Sequence, residues 1–107
     1  MSWTVEILND TVVQEIEALP PDMRARFQRI VELIEEVGLE MVGMPHVRSL
    51  TGKLWEMRMK GRDGISRALY VTATGRRVVV VSAFVKKTQK TPAREIKRAL
   101  KRAEEIE

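Results

Sequence analysis

A chain of 107 residues, 44% hydrophobic and 32% charged, has the size and composition of one soluble globular domain, which excludes a large multi-pocket enzyme. Without cysteine and with one histidine, His46, it offers no disulfide framework, no thiol nucleophile and no Cys- or His-built metal site, so neither metal nor cofactor is expected. The net charge of +4 hides an asymmetry: four arginines face nine acidic residues over 1–52, and fifteen Lys/Arg face six acidic residues over 53–107, leaving −5 and +9.

The start, Trp3-Thr-Val-Glu-Ile-Leu8, alternates apolar and polar and predicts a short strand. Asn9 or Asp10 caps a helix with Val12, Val13, Ile16 and Leu19 on one stripe, which Pro20-Pro21 stops. Asp22 is expected to cap a second helix carrying Met23, Phe27, Ile30, Val31, Ile34 and Val37, and Gly38 ends it. Residues 38–52, with three glycines and a proline, read as a loop.

From Lys53 the period becomes two. Trp55, Met57 and Met59 share one side of a strand, with Leu54, Glu56, Arg58 and Lys60 on the other. Gly61–Gly64 is a hairpin loop, Ile65–Ala73 a strand, Thr74–Arg76 a turn, and Val78–Val85 a β-branched strand expected to be central. Thr91 as cap, with Pro92 as first residue, starts a last helix with Ile96, Ala99, Leu100, Ala103 and Ile106 on one stripe. The order β-α-α-β-β-β-α describes one α+β domain over 1–107, its helices packed on one face of a mostly antiparallel sheet. No apolar run approaches the ~20 residues that span a bilayer, and the start lacks the pattern of a secretory leader, so a cytoplasmic location without membrane contact is expected.

Phosphate-loop, dinucleotide-binding and zinc-protease motifs are absent from the sequence. What it offers is a set of cations on consecutive strands: Arg58, Arg67 and the pair Lys86-Lys87. Arginine presents a planar fork that matches phosphate, and a lysine among other cations can exchange a proton nearer neutrality. Together such groups can cleave RNA without histidine: one takes the 2′-OH proton, arginines stabilise the phosphorane, and another cation protonates the departing 5′-oxygen. The basic half as a whole favours a polyanion partner, with Lys53, Lys60 and Lys90 as candidate phosphate contacts. Phe84 can stack on a base, whereas Trp55 and Tyr70 read as packing residues. Glu15, Glu32, Glu35 and Glu36 occupy polar helix positions and read as solvated, and His46 as a loop residue.

The blocks Leu54-Trp-Glu-Met-Arg58, Ser66-Arg-Ala-Leu-Tyr70 and Phe84-Val-Lys-Lys-Thr-Gln-Lys-Thr-Pro92 resemble the RelE/ParE superfamily of type II toxins, above all its HigB-like, phage-derived branch. The resemblance spans nearly the whole chain. It implies a RelE-like fold and a ribosome-dependent mRNA endoribonuclease, neutralised by a cognate antitoxin, commonly a helix-turn-helix protein. It places Arg58, Arg67, Lys86 and Lys87 in catalytic or phosphate-binding roles. The C-terminal tyrosine or histidine of some members is missing after Pro92. Two other readings stay open: a ParE-like gyrase inhibitor, and a small basic RNA-binding protein without catalysis.

Overall fold

The computed structural model describes residues 2–43, 46–86 and 90–106. Strand β1 (Thr4–Ile7) leads into α1 (Asp10–Glu17), where the Val12 N–H donates to Asn9 Oδ1 at 3.0 Å and completes the cap. The Pro-Pro pair both ends this helix and starts the next, because Pro20 precedes α2 (Pro21–Val37) and Pro21 occupies a first-turn position that needs no N–H. Asp22 therefore is not the cap. It lies inside the first turn, and its carboxylate accepts from the Arg62 N–H at 2.6 Å. That bond pins the 61–64 turn to α2, and a Cβ on Gly61 would meet Asp22 Oδ2 and Met23 Cγ at 2.8 Å. Only glycine permits so close an approach.

Residues 38–52 are not one loop. They form a 3-10 turn (Leu39–Met41) and a further strand, β2 (Val47–Thr51), in which only Val47 is buried. A short polar edge strand owes its conformation to pairing with its neighbour, so its own pattern gives little warning. Then follow β3 (Leu54–Gly61), β4 (Gly64–Ala73), β5 (Arg77–Lys86) and α3 (Ala93–Ala103). The sheet order is β1-β5-β4-β3-β2, antiparallel except for β1 beside β5. The valine-rich β5 is interior, as expected, between β1 and β4.

The helices lie on both faces, which corrects the one-face expectation. α1 and α2 bury Val12, Ile16, Met23, Phe27, Ile30 and Ile34 against Met57, Met59, Tyr70, Val78 and Val80. α3 buries Ala99 and Ala103 against Leu54, Leu69, Val71, Val79 and Val81. Consecutive valines of β5 thus serve opposite cores, the mark of a strand covered on both sides. A register shift between Leu69 and Tyr70, which pair with Ser82 and Val80, leaves Val81 as an extra residue. The bulge changes the phase of β5, so Phe84 and Lys86 share the α3 face with Val79 and Val81 rather than facing α1 and α2.

β1 pairs only as far as Val80, and the β5 edge beyond it is closed by side chains. Glu15 Oε1 accepts from the Ala83 N–H at 3.1 Å, and Arg102 Nη1 donates to Val81 O at 2.9 Å. Arg102 also binds both Glu15 oxygens, at 3.0 and 2.9 Å, joining α3 to α1 around the strand edge. Glu15 is therefore a structural clasp, not a solvated charge. Glu35 likewise accepts from the Val5 N–H at 3.1 Å, whereas Glu32 and Glu36 pair with Arg29 on the surface. Arg102→Ala should lower stability by about 1–3 kcal/mol, the loss expected for a charged hydrogen-bonding group whose partners stay half-buried. Urea denaturation measures this, and hydrogen exchange should show the Ala83 amide losing protection ahead of its neighbours.

Candidate functional site

On the α3 face the alternation of β3 presents Leu54, Glu56, Arg58 and Lys60, and β4 sets Leu69, Arg67 and Ile65 against the last three. Arg58 is the direct cross-strand partner of Arg67, and Arg67 pairs in turn with Phe84 of β5. The next row is Lys60, Ile65 and Lys86. Cations from three strands thus meet at one end of one face, next to the segment that enters α3.

Glu56 holds this patch together. It has no exposed surface, and one carboxylate oxygen accepts from Arg48 Nε at 2.6 Å and from Arg67 Nη1. The other accepts from Thr91 Oγ1 at 3.3 Å, so Thr91 serves this site and not the helix cap, a place taken by Pro92. Burial alone would raise the Glu56 carboxyl, but hydrogen bonds and charge from Arg67 and Arg48 outweigh it and hold the group below the ordinary carboxylate range. Arg67 is 3% exposed and is a buried member of this ion pair.

Lys86 is 8% exposed. Burial, then the charge of Arg67, with smaller pushes from Arg48 and Arg58, set its ammonium below the ordinary lysine value against the pull of Glu56. The Nζ of Lys86 and the Nε atoms of Arg58 and Arg67 are buried and lack a hydrogen-bond partner among the described residues. Three cationic nitrogens on one face thus lack an acceptor among the described residues, and an anion is the kind of group that supplies one.

The other sequence candidates divide. Phe84 is half-buried beside Arg67 and packs against the α3 core. Lys60 is exposed at the Gly61 end of β3. Lys53 sits at the opposite end of that strand, in a depression with Val71, Thr74 and Ile106, and does not join the cluster. Lys90 is exposed before α3, and Lys87 lies outside the described residues. Trp55 and Tyr70 lie on the opposite face from Arg58 and Arg67: Tyr70 is in the α1/α2 core, and the two line a mostly apolar cavity of about 590 Å³ that Arg48 also borders. Sequence reasoning missed Arg48, because its strand read as loop, and missed the central role of Glu56. One signal was available: a lone acid at an inward position of a strand in the basic half.

The family model described as phage derived protein Gp49-like (DUF891) matches residues 14–104. The chain belongs to the Gp49-like family. This family is RelE/HigB-like, so the resemblance seen in the sequence blocks is borne out. Among solved structures, RelE in the archaeal RelE–RelB complex from Pyrococcus horikoshii OT3 is similar at a TM-score of 0.55 and 22% identity, covering 81% of this chain and 98% of that one. The Gp49-like chain therefore has a RelE-type fold. No curated protein matches it.

Arg67→Ala removes one of the two guanidinium partners of the buried Glu56 and leaves Arg48 in place, so it should cost about 1–3 kcal/mol in urea denaturation. Because the folded Glu56 carboxyl titrates below its unfolded value, its contribution is present above the ordinary carboxylate range and fades as pH falls through the depressed value. Glu56→Gln should flatten that acid limb of the stability curve.

Proposed function

We propose that this Gp49-like protein is the toxin of a toxin–antitoxin pair and inhibits translation as an endoribonuclease acting on mRNA at the ribosome. The observation that carries the reading is the set of buried, unpartnered nitrogens of Arg58, Arg67 and Lys86 on one face of the sheet. A phosphodiester supplies the acceptors those donors lack. The arginines stabilise the added charge of the phosphorane, and do so best in a site from which water is excluded. Lys86, set below the ordinary lysine value, takes the proton of the 2′-OH as its oxygen attacks phosphorus. The bond to the 5′-oxygen breaks, Lys86 passes the proton it took to that oxygen, and a cyclic phosphate remains. Phe84, beside Arg67, offers a ring for the adjoining base.

Glu56 has a different role. Bound to Arg48 and Arg67, it aims both guanidinium groups and lowers the repulsion that crowding them creates. An antitoxin is the natural partner of such a protein; support comes from the similar archaeal RelE, found in complex with RelB.

Induced expression should arrest growth, and normal growth with soluble, folded protein would overturn the toxin reading. Arg58→Ala should slow single-turnover cleavage on programmed ribosomes by about 10²–10³-fold, the loss typical of one transition-state donor. Folding should be unaffected by circular dichroism, since Arg58 has no carboxylate partner among the described residues. Arg58→Lys should fail to restore the rate, because lysine keeps the charge and loses the fork.

A further inference from the structure

β2 stops pairing at Val47, opposite Met57, and the Arg58 N–H then donates to His46 O at 2.8 Å. Past that point the edge of β3 has no strand beside it among the described residues. A cleft of about 340 Å³ opens there, lined by Arg26 of α2, His46, Arg58 and Lys60 of β3, and Ile65 of β4. No carboxylate among the described residues lines it. Arg26, Arg58 and Lys60 form no ion pair among the described residues, whereas Arg29, three residues along α2, is paired with Glu32 and Glu36. The nearby Asp22 is engaged with the Arg62 N–H. Three cations without an ion-pair partner among the described residues share one concavity with an imidazole, and because the cations repel one another the arrangement suits an oxyanion.

We infer that this cleft is a second phosphate subsite, which holds a phosphodiester next to the scissile one through Arg26, Lys60 and His46. The inference rests on the endoribonuclease reading above and extends it to residues outside the Glu56 cluster. Arg58 connects the two sites: it lines the cleft and is the cross-strand partner of Arg67. A strand of RNA entering along the open β3 edge meets the cleft and the cluster in succession. Arg26 also brings the acidic first half of the chain into contact with RNA, through one basic position of α2.

Residues that bind a flanking phosphate equally in the ground and transition states alter KM and leave kcat alone. Arg26→Ala and Lys60→Ala should each raise KM for ribosomal mRNA cleavage about 5–10-fold with kcat within twofold of the parent. Binding can be read without cleavage. His46 is the only histidine, so the imidazole C–H resonances report one residue, and a thymidylate tetramer, which has no 2′-OH, supplies phosphodiesters that cannot be cut. At fixed pH the tetramer should shift those resonances in saturable fashion, with affinity about 5–10-fold weaker in Arg26→Ala and Lys60→Ala. Arg29→Ala, which removes the same charge elsewhere on α2, should change affinity less than twofold. An unmoved imidazole, or equal weakening by Arg29→Ala, would overturn the subsite while leaving the cleavage assay free to stand. A saturable shift with no cleavage would keep the subsite and overturn the enzyme.

Discussion

One carboxylate decides whether this sheet can carry its positive charge. At an effective dielectric constant near 20, two like charges about 4 Å apart repel by about 4 kcal/mol. Arg67 and Lys86 have little solvent to screen them. Glu56, with no exposed surface, supplies the one negative charge among the described residues that reaches Arg67 and Arg48 at bonding distance, and it also attracts Lys86. An apolar residue in its place would pack as well and would remove a desolvation cost. It would also leave the arginines unaimed and mutually repelling, so the acid is best understood as the condition for crowding the cations.

That cluster lies on one face only, because the two faces of the sheet are used differently. The α1/α2 side is closed by a continuous apolar core under two helices, while α3 covers only part of its side. The bulge at Val81 makes the division work. Without the extra residue, the alternation that sends Val79 and Val81 toward α3 would send Phe84 and Lys86 into the opposite core. The Glu15–Arg102 clasp lies on the same stretch of β5, so the strand that delivers Lys86 is held at its open edge by α1 and α3 together.

Much of this was legible in the sequence because strong periodic signals are local. The helical stripes of α1 and α2, the alternation of β3 and the valines of β5 each report their own neighbourhood, and each formed where expected. What failed were features that depend on a distant partner. β2 is a strand because β3 lies beside it, and Val47-Arg-Ser-Leu-Thr51 carries no pattern of its own. Asp22, Thr91 and Glu15 are good local caps or good solvated positions by type. Each instead answers a group 35 to 68 residues away, namely Arg62, Glu56 and Ala83. The arginines of the site were visible as residue types on adjacent strands, but the burial of Arg67 depends on Glu56 and could only be weighed once the register was known.

The geometry also concentrates an energetic cost within a single patch. A buried donor without an acceptor costs roughly 1–3 kcal/mol, and this face contains three of them at cationic nitrogens. Nothing in the packing of the α3 core requires that cost, since Phe84 and the valines nearby would accept apolar neighbours. The larger α1/α2 core, on the other side of the same strands, offsets it. Under the proposed function the same nitrogens would set both stability and anion affinity, because an arriving phosphate would remove the penalty as it binds. On that proposal, stability lost in the free protein would reappear as preference for the bound state, and the apolar core on the other face of the sheet is what makes the exchange tolerable.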